Sequence, residues 1–209
     1  MRLFVAVDLP AVAVQAIARV QQEIAASFES VRLVRPEQLH ITLAFLGDVS
    51  DAQVPGVVDT MGAAVGMTPF DLVFSGIGVF PPRGAPRACW IGIAGGVNAL
   101  VALRKTLADR IEAAGIPLDA RPYSPHLTLG RWREPRRSTR TQSPGDRPKD
   151  EHVEPRTSDR MKMMALATGA QVARMCVERA TLYQSRLSAA GSTYTALAHA
   201  NLTAGSAVG

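Results

Sequence analysis

Two short stretches of the chain repeat one pattern: Leu39–Gly47 (LHITLAFLG) and Pro125–Arg131 (PHLTLGR). Each opens a run with His-x-Thr-Leu, at His40/Thr42 and at His126/Thr128, the two histidines lying 86 positions apart. The chain has four histidines, so half of them sit in this pattern. In a β-strand, residues i and i+2 point to the same side. His40 and Thr42 therefore share one face, and His126 and Thr128 share another. Ile41, Leu43 and Phe45, like Leu127 and Leu129, read as the apolar stripes opposite. Polar groups at the head of an apolar strand need a partner or a purpose.

Two imidazoles and two hydroxyls suit one kind of chemistry. An unperturbed imidazole titrates at about pH 6.5, so one ring can be neutral while another is protonated. The neutral ring takes a proton from water, and the protonated ring gives one to a departing alkoxide. Threonine hydroxyls hydrogen-bond the phosphate oxygens whose charge must be held. This is metal-free equipment for opening a cyclic phosphodiester. A metal site lacks support, because neither motif contains Asp, Glu or Cys to complete a ligand set. A nucleophilic serine triad lacks its Gly-x-Ser-x-Gly elbow.

The elements that must hold these groups alternate between strand and helix. Leu3–Val7 reads as a first strand, and Pro10 suits the first turn of a helix whose stripe is Val14, Ile17, Gln21 and Ile24. Ser50 to Gln53 has the form of a capping box for a second helix, with Val54, Val57, Val58, Met61 and Val65 as its buried stripe. Phe70–Phe74, Ile77–Phe80 and Ala88–Ile93 read as strands, the last two divided by a Pro/Gly turn. Leu100, Leu103, Leu107 and Ile111 mark a third helix, stopped at Gly115. Two final β-like runs, Val172–Tyr183 and Thr193–Leu202, meet at an Ala-Ala-Gly-Ser turn. Hairpin-like pairs argue against an all-parallel sheet, so the fold class is α+β. Matched motifs, each preceded by a helix, imply two related half-domains facing across a cleft.

Composition narrows the partners. The chain of 209 residues is 47% hydrophobic and 20% charged, values typical of a globular protein. It carries net charge +5, mostly as arginine, with lysine only at 105, 149 and 162. Arginine's planar fork suits phosphate oxygens, so an anionic partner fits. No apolar run reaches the length of a membrane span, and the apolar run at the N-terminus is too short for a signal peptide. Cys89 and Cys176, both in apolar surroundings, read as reduced buried thiols of a cytoplasmic protein. Residues 134–160 hold seven Lys/Arg, six Asp/Glu and one aliphatic residue, Val153. Such a segment cannot bury enough apolar area to offset its ordering entropy, and is expected to be a disordered insert. Residues 204–209 read as a flexible tail. His152, in the insert, reads as solvated, and His199 as an exposed strand residue. Trp90 fits core packing, while Trp132 fits either the core or a base-stacking role.

Together these stretches resemble a known family. Two His-x-Thr motifs are the signature of the two-histidine phosphoesterases, and the chain is most similar to the RNA 2',3'-cyclic phosphodiesterases, also called 2'-5' RNA ligase-like proteins. The likeness includes Arg2–Pro10, Val34–Gly47, Gly76–Pro81, Cys89–Gly92, Arg121–Arg131, and Leu182–Ser188 with Tyr194 and Thr195. It implies a bilobal, pseudo-symmetric α+β fold spanning residues 1–209, with two mainly antiparallel sheets flanking a central cleft and helices outside. It also implies roles: His40 as proton donor, His126 as proton acceptor, and Thr42 and Thr128 as phosphate-binding. Arg131 matches a family arginine and is a possible substrate contact, although strict alternation turns it away from His126. The implied substrate is RNA or a nucleotide with a 2',3'-cyclic phosphate, converted to a 2'-phosphomonoester. The implied enzyme needs no cofactor, metal or membrane and acts as a monomer. The same site could instead run in reverse as a 2'-5' RNA ligase, or belong to a non-catalytic RNA-end-binding protein.

Overall fold

The computed structural model describes residues 1–119, 121–133, 157–166, 171–188 and 191–204. The chain forms β1 (Arg2–Asp8), α1 (Ala11–Ser27), β2 (Val31–Leu33), β3 (His40–Asp48), α2 (Val54–Gly62), β4 (Val65–Gly66), β5 (Phe70–Phe80) and β6 (Ala88–Gly95). It continues as α3 (Val97–Ala113), β7 (His126–Trp132), α4 (Thr157–Ala165), β8 (Gln171–Val177), β9 (Arg179–Ser188) and β10 (Gly191–Thr203). The strands make two sheets, in the orders β3-β1-β9-β10-β4 and β2-β7-β6-β5-β8. Among the described residues every pairing is antiparallel except that of β10 with β4.

Four strands of one sheet, β3-β1-β9-β10, correspond in order to β7-β6-β5-β8 of the other. In this correspondence the motif strands β3 and β7 are equivalent, and the two lie against each other where the lobes meet. Helices cover the sheets' other faces. α2 packs on β9 and β10, α3 on β3 and α2, α1 on β2 and β8, and α4 on β5. One continuous core runs through both lobes, including Ile41 and Leu43 from β3 and Leu127 and Leu129 from β7.

Local chemistry explains most boundaries. Pro10 lies just outside α1, and Ala13, Ile17, Val20, Gln21 and Ile24 form its buried face. Gly115, at φ +83°, ends α3 with the Ile116 N–H donating to the Ile111 carbonyl, a turn that a left-handed glycine permits. Ser50 does not cap α2. Its hydroxyl donates to the Gln53 side-chain oxygen, and Gln53 occupies the cap position. Val65 is buried, but on β4 rather than on the second helix. The expected strands Phe70–Phe74 and Ile77–Phe80 are one strand, irregular near Gly76.

The run Val172–Tyr183 is not one strand. It breaks at Glu178, with β8 on the edge of one sheet and β9 inside the other, so it ties the lobes together. Helix α4 begins at Thr157, inside the segment expected to be disordered, and its Met163 is fully buried while Arg160 donates to the Pro81 and Gly84 carbonyls. Residues 134–156 of that segment, with His152, lie outside the described residues, as do 205–209 of the tail.

Candidate active site

Each motif histidine opens its strand, and both strands have the same sequence of half-buried, buried and exposed positions over seven residues. His40 and Thr42 are half-buried on the face away from the core, and so are His126 and Thr128. His40 Nδ1 lies 2.7 Å from the Gln38 carbonyl oxygen, and His126 Nδ1 lies 2.7 Å from that of Ser124. A carbonyl can only accept, so Nδ1 carries a proton in both rings and Nε2 is left for an incoming ligand.

Strict alternation fails in both strands, and at the same place. Ala6 pairs with Thr42 and Val5 with Ala44, so Leu43 is an extra residue, a β-bulge. Trp90 pairs with Thr128 and Cys89 with Gly130, so Leu129 is the equivalent bulge in β7. Each bulge turns the next residues over. Phe45, expected in the apolar stripe, is 61% exposed, and Leu46 takes its place in the core. Arg131 pairs with Ala88, which alternation places on the same side of β6 as Trp90 and Gly92, the partners of Thr128 and His126. Arg131 therefore shares the motif face and is not turned away from it. Phe45 and Arg131 hold equivalent positions in the two lobes.

Buried groups absorb the backbone polarity that a bulge frees. The Leu129 carbonyl accepts from the Gln21 amide at 3.0 Å and from the Val34 N–H at 2.9 Å. Gln21 also donates to the Val34 carbonyl at 2.8 Å, which accounts for a polar residue in the stripe of α1. On the other strand, the Tyr123 hydroxyl donates to the Thr42 carbonyl at 3.1 Å. The Arg104 guanidinium stands 5.0 Å from the centre of the Tyr123 ring, and burial pushes that phenol's pKa well up.

Aromatic rings wall the site on both sides. His40 packs 5.0 Å from Phe4 and edge-on to Tyr194 at 5.5 Å. His126 meets Phe80 edge-on at 5.0 Å and Trp90 at 6.2 Å. A cleft of about 300 Å³ opens beside them, lined by residues that include Thr42, Phe45, Phe80, Arg104, Tyr123 and His126. Burial against these rings pushes the His40 pKa below its ordinary value, and the nearby His126 acts in the same direction. The Gln38 carbonyl and the Asp8 carboxylate oppose that shift. Two imidazoles with free Nε2 atoms, two hydroxyls and an arginine on one face can bind a phosphate anion and move protons on either side of it. Among the described residues, no group of three or more His, Cys, Asp or Glu side chains is placed to hold a metal ion.

The remaining candidates fall elsewhere. His199 is exposed on β10, with Nδ1 3.0 Å from the Thr181 hydroxyl. Trp132 is core, edge-on to Phe28. Trp90 is not simply core. Its ring lies across Gly78, where a Cβ would collide with the indole, and beside His126. Cys89 is buried and its thiol is pushed up to about 12, but Cys176 is exposed, contrary to expectation. Among the described residues no helix is long and apolar enough to cross a membrane. Sequence reasoning put Gln21 in the α1 stripe without a role for it, and gave no role to Asp8 or Tyr123. Gln21 and Asp8 each carried a signal, a polar side chain on an otherwise apolar element, and Tyr123 carried none.

Comparison with known proteins gives concordant results. The model of the LigT like phosphoesterase family matches residues 7–90. A curated RNA 2',3'-cyclic phosphodiesterase of Archaeoglobus fulgidus is 34% identical over 131 residues, covering 63% of this chain and 72% of that protein. One of Methanothermobacter thermautotrophicus is 29% identical over 93% of this chain and 95% of its own length. The match to one of Geobacillus stearothermophilus, at 39% identity, spans 61% of this chain but only 41% of that longer protein. Among solved structures, a Thermus thermophilus protein aligns with TM-score 0.70 and 28% identity over 96% of this chain and 97% of its own. E. coli LigT, in complex with 3'-AMP, aligns with TM-score 0.68 and 26% identity over 97% and 98%.

Proposed function

The chain belongs to the family of LigT-like phosphoesterases that includes the RNA 2',3'-cyclic phosphodiesterases, and on that premise we propose that it hydrolyses 2',3'-cyclic phosphate ends of RNA or nucleotides to 2'-phosphomonoesters. The observation that carries this reading is the paired geometry: two equivalent imidazoles, each with Nδ1 satisfied by a backbone carbonyl and Nε2 available, on strands that meet between the lobes.

In this reading His126 accepts a proton from water as the water oxygen attacks phosphorus. The P–O3' bond breaks in line with the attack, and His40 donates its proton to the departing 3' oxygen. One water is consumed, and the two rings end with their protonation states exchanged, restored by solvent. Thr42 and Thr128 donate their hydroxyls to the non-bridging oxygens, whose charge grows in the transition state. Arg131, on the same face, adds a fixed positive charge near the phosphate. His40 must hold a proton to act as donor, yet in the free protein burial disfavours its charged form. A bound phosphate anion reverses that balance, because a negative charge nearby favours the imidazolium. The donor is thus armed by the substrate.

The test is turnover of 2',3'-cyclic AMP by the purified protein in excess chelator, with the product isomer identified. The reading predicts sustained formation of 2'-AMP. Dependence on added metal, or 3'-AMP as the product, would falsify it.

A further inference from the structure

The two lobes present nearly identical motifs, so something must decide which histidine gives a proton and which takes one. We infer that Asp8, held between Thr181 and Tyr183, is the positioning residue that makes His40 the donor. The inference rests on the proposed two-histidine reaction and deepens it.

The lobes differ at the position facing the histidine. His40 pairs across the strands with Asp8 of β1, and His126 pairs with Gly92 of β6. Directly opposed residues of an antiparallel pair project from the same face, so the Asp8 carboxylate lies on the side of the imidazole. No side chain could replace Gly92 without rearrangement, because a Cβ there would come 2.9 Å from the Ser75 carbonyl oxygen. One lobe therefore carries a negative charge across the strands from its histidine, and at the matching position the other has no room for a side chain.

The carboxylate is also fixed in place. The Thr181 hydroxyl donates to Asp8 Oδ2 at 2.6 Å, and the Tyr183 hydroxyl donates to Oδ1 at 2.6 Å. Tyr183 is stacked on Phe4, which in turn packs on His40, so carboxylate, phenol and imidazole share one wall. The other groups facing His40 are His126 of β7, Tyr194 of β10 and the Gln38 carbonyl. Behind Asp8 stand His199, which meets Thr181, and Arg179, whose charge reaches Tyr183. The Gln38 carbonyl and, after it, the Asp8 carboxylate favour the charged form of His40; the carbonyl contact is repeated at Ser124 for His126, whereas the position of Asp8 is held there by Gly92.

Asp8→Asn and Tyr183→Phe test this with opposite signs. Asp8→Asn removes the charge, so the His40 imidazole titration followed by NMR is expected to move down by about one pH unit. The alkaline limb of the kcat profile should follow it, with KM for 2',3'-cyclic AMP within about twofold. Tyr183→Phe keeps the ring but frees the carboxylate from a donor, so the His40 midpoint is expected to rise. A merely structural role would give no such opposition. Unchanged His40 midpoints in both variants, or shifts of the same sign, overturn the inference. If Asp8→Asn does not fold, a His40 midpoint in Tyr183→Phe that stays put or falls is sufficient to overturn it. The NMR titration needs no turnover, so it decides the role of Asp8 even if wild-type protein proves inactive and the hydrolytic reading fails.

Discussion

His40 and His126 make the same hydrogen bond, with each Nδ1 2.7 Å from the carbonyl oxygen two residues upstream. The strand geometry that repeats the motif thus also repeats the tautomer. Long-range ¹H–¹⁵N spectra are expected to find both neutral rings protonated at Nδ1 and bare at Nε2. A neutral ring protonated at Nε2 in either motif would remove its capacity to act as a base toward the cleft.

The lowered pKa of His40, caused first by burial, sets a pH dependence with a definite sign. In the unfolded chain the imidazole titrates at about 6.5, and in the folded protein lower. Between those two values the unfolded state binds more protons, so this residue's contribution to stability is full above about pH 6.5 and is lost as pH falls through the folded value. Urea denaturation at pH 7 and pH 5.5 is expected to find a smaller acid destabilisation in His40→Gln than in wild type. Inorganic phosphate should raise the His40 midpoint.

The bulge at Leu43 makes Phe45 and Leu46 exchange their expected burdens. Phe45→Ser removes an exposed ring and is expected to change stability by no more than about 0.5 kcal/mol. Leu46→Ala empties part of the core and should cost about 2–5 kcal/mol. Chemical denaturation of the two variants checks this. A reversed order would mean that β3 keeps strict alternation without the bulge.

Thiol chemistry separates the cysteines. Cys176 is exposed on β8, whereas Cys89 is buried with its thiol pushed up to about 12. An aromatic disulfide reagent is expected to modify one thiol in the native protein and the second only on unfolding. Rapid modification of both would contradict the packing of β6.

The parts of this molecule that obey period-two or period-3.6 patterning were legible in its sequence. The α3 stripe, the α1 face and the His-x-Thr pairs follow from local spacing and lie where that spacing puts them. The bulges were not legible, because an extra residue is defined by the partner strand and nothing in LHITLAFLG marks Leu43 as unpaired. The same limit hid Arg131's true face and the break at Glu178, since a β-rich run looks alike whether it stays in one sheet or crosses between two. Gln21 and Asp8 illustrate a second limit. A polar residue on an apolar element announces a need for partners, but its partners here lie 108 and 173 residues away in Leu129 and Thr181.

The most direct measurement is kcat/KM for 2',3'-cyclic AMP in excess EDTA for wild type, His40→Ala, His126→Ala and the double variant. Each single change is expected to lower it by about 10²–10⁴-fold. The double variant should be little worse than either one, because the two rings act as a unit. Near-wild-type activity in either alanine variant would contradict a two-histidine mechanism and leave the paired motif as a scaffold.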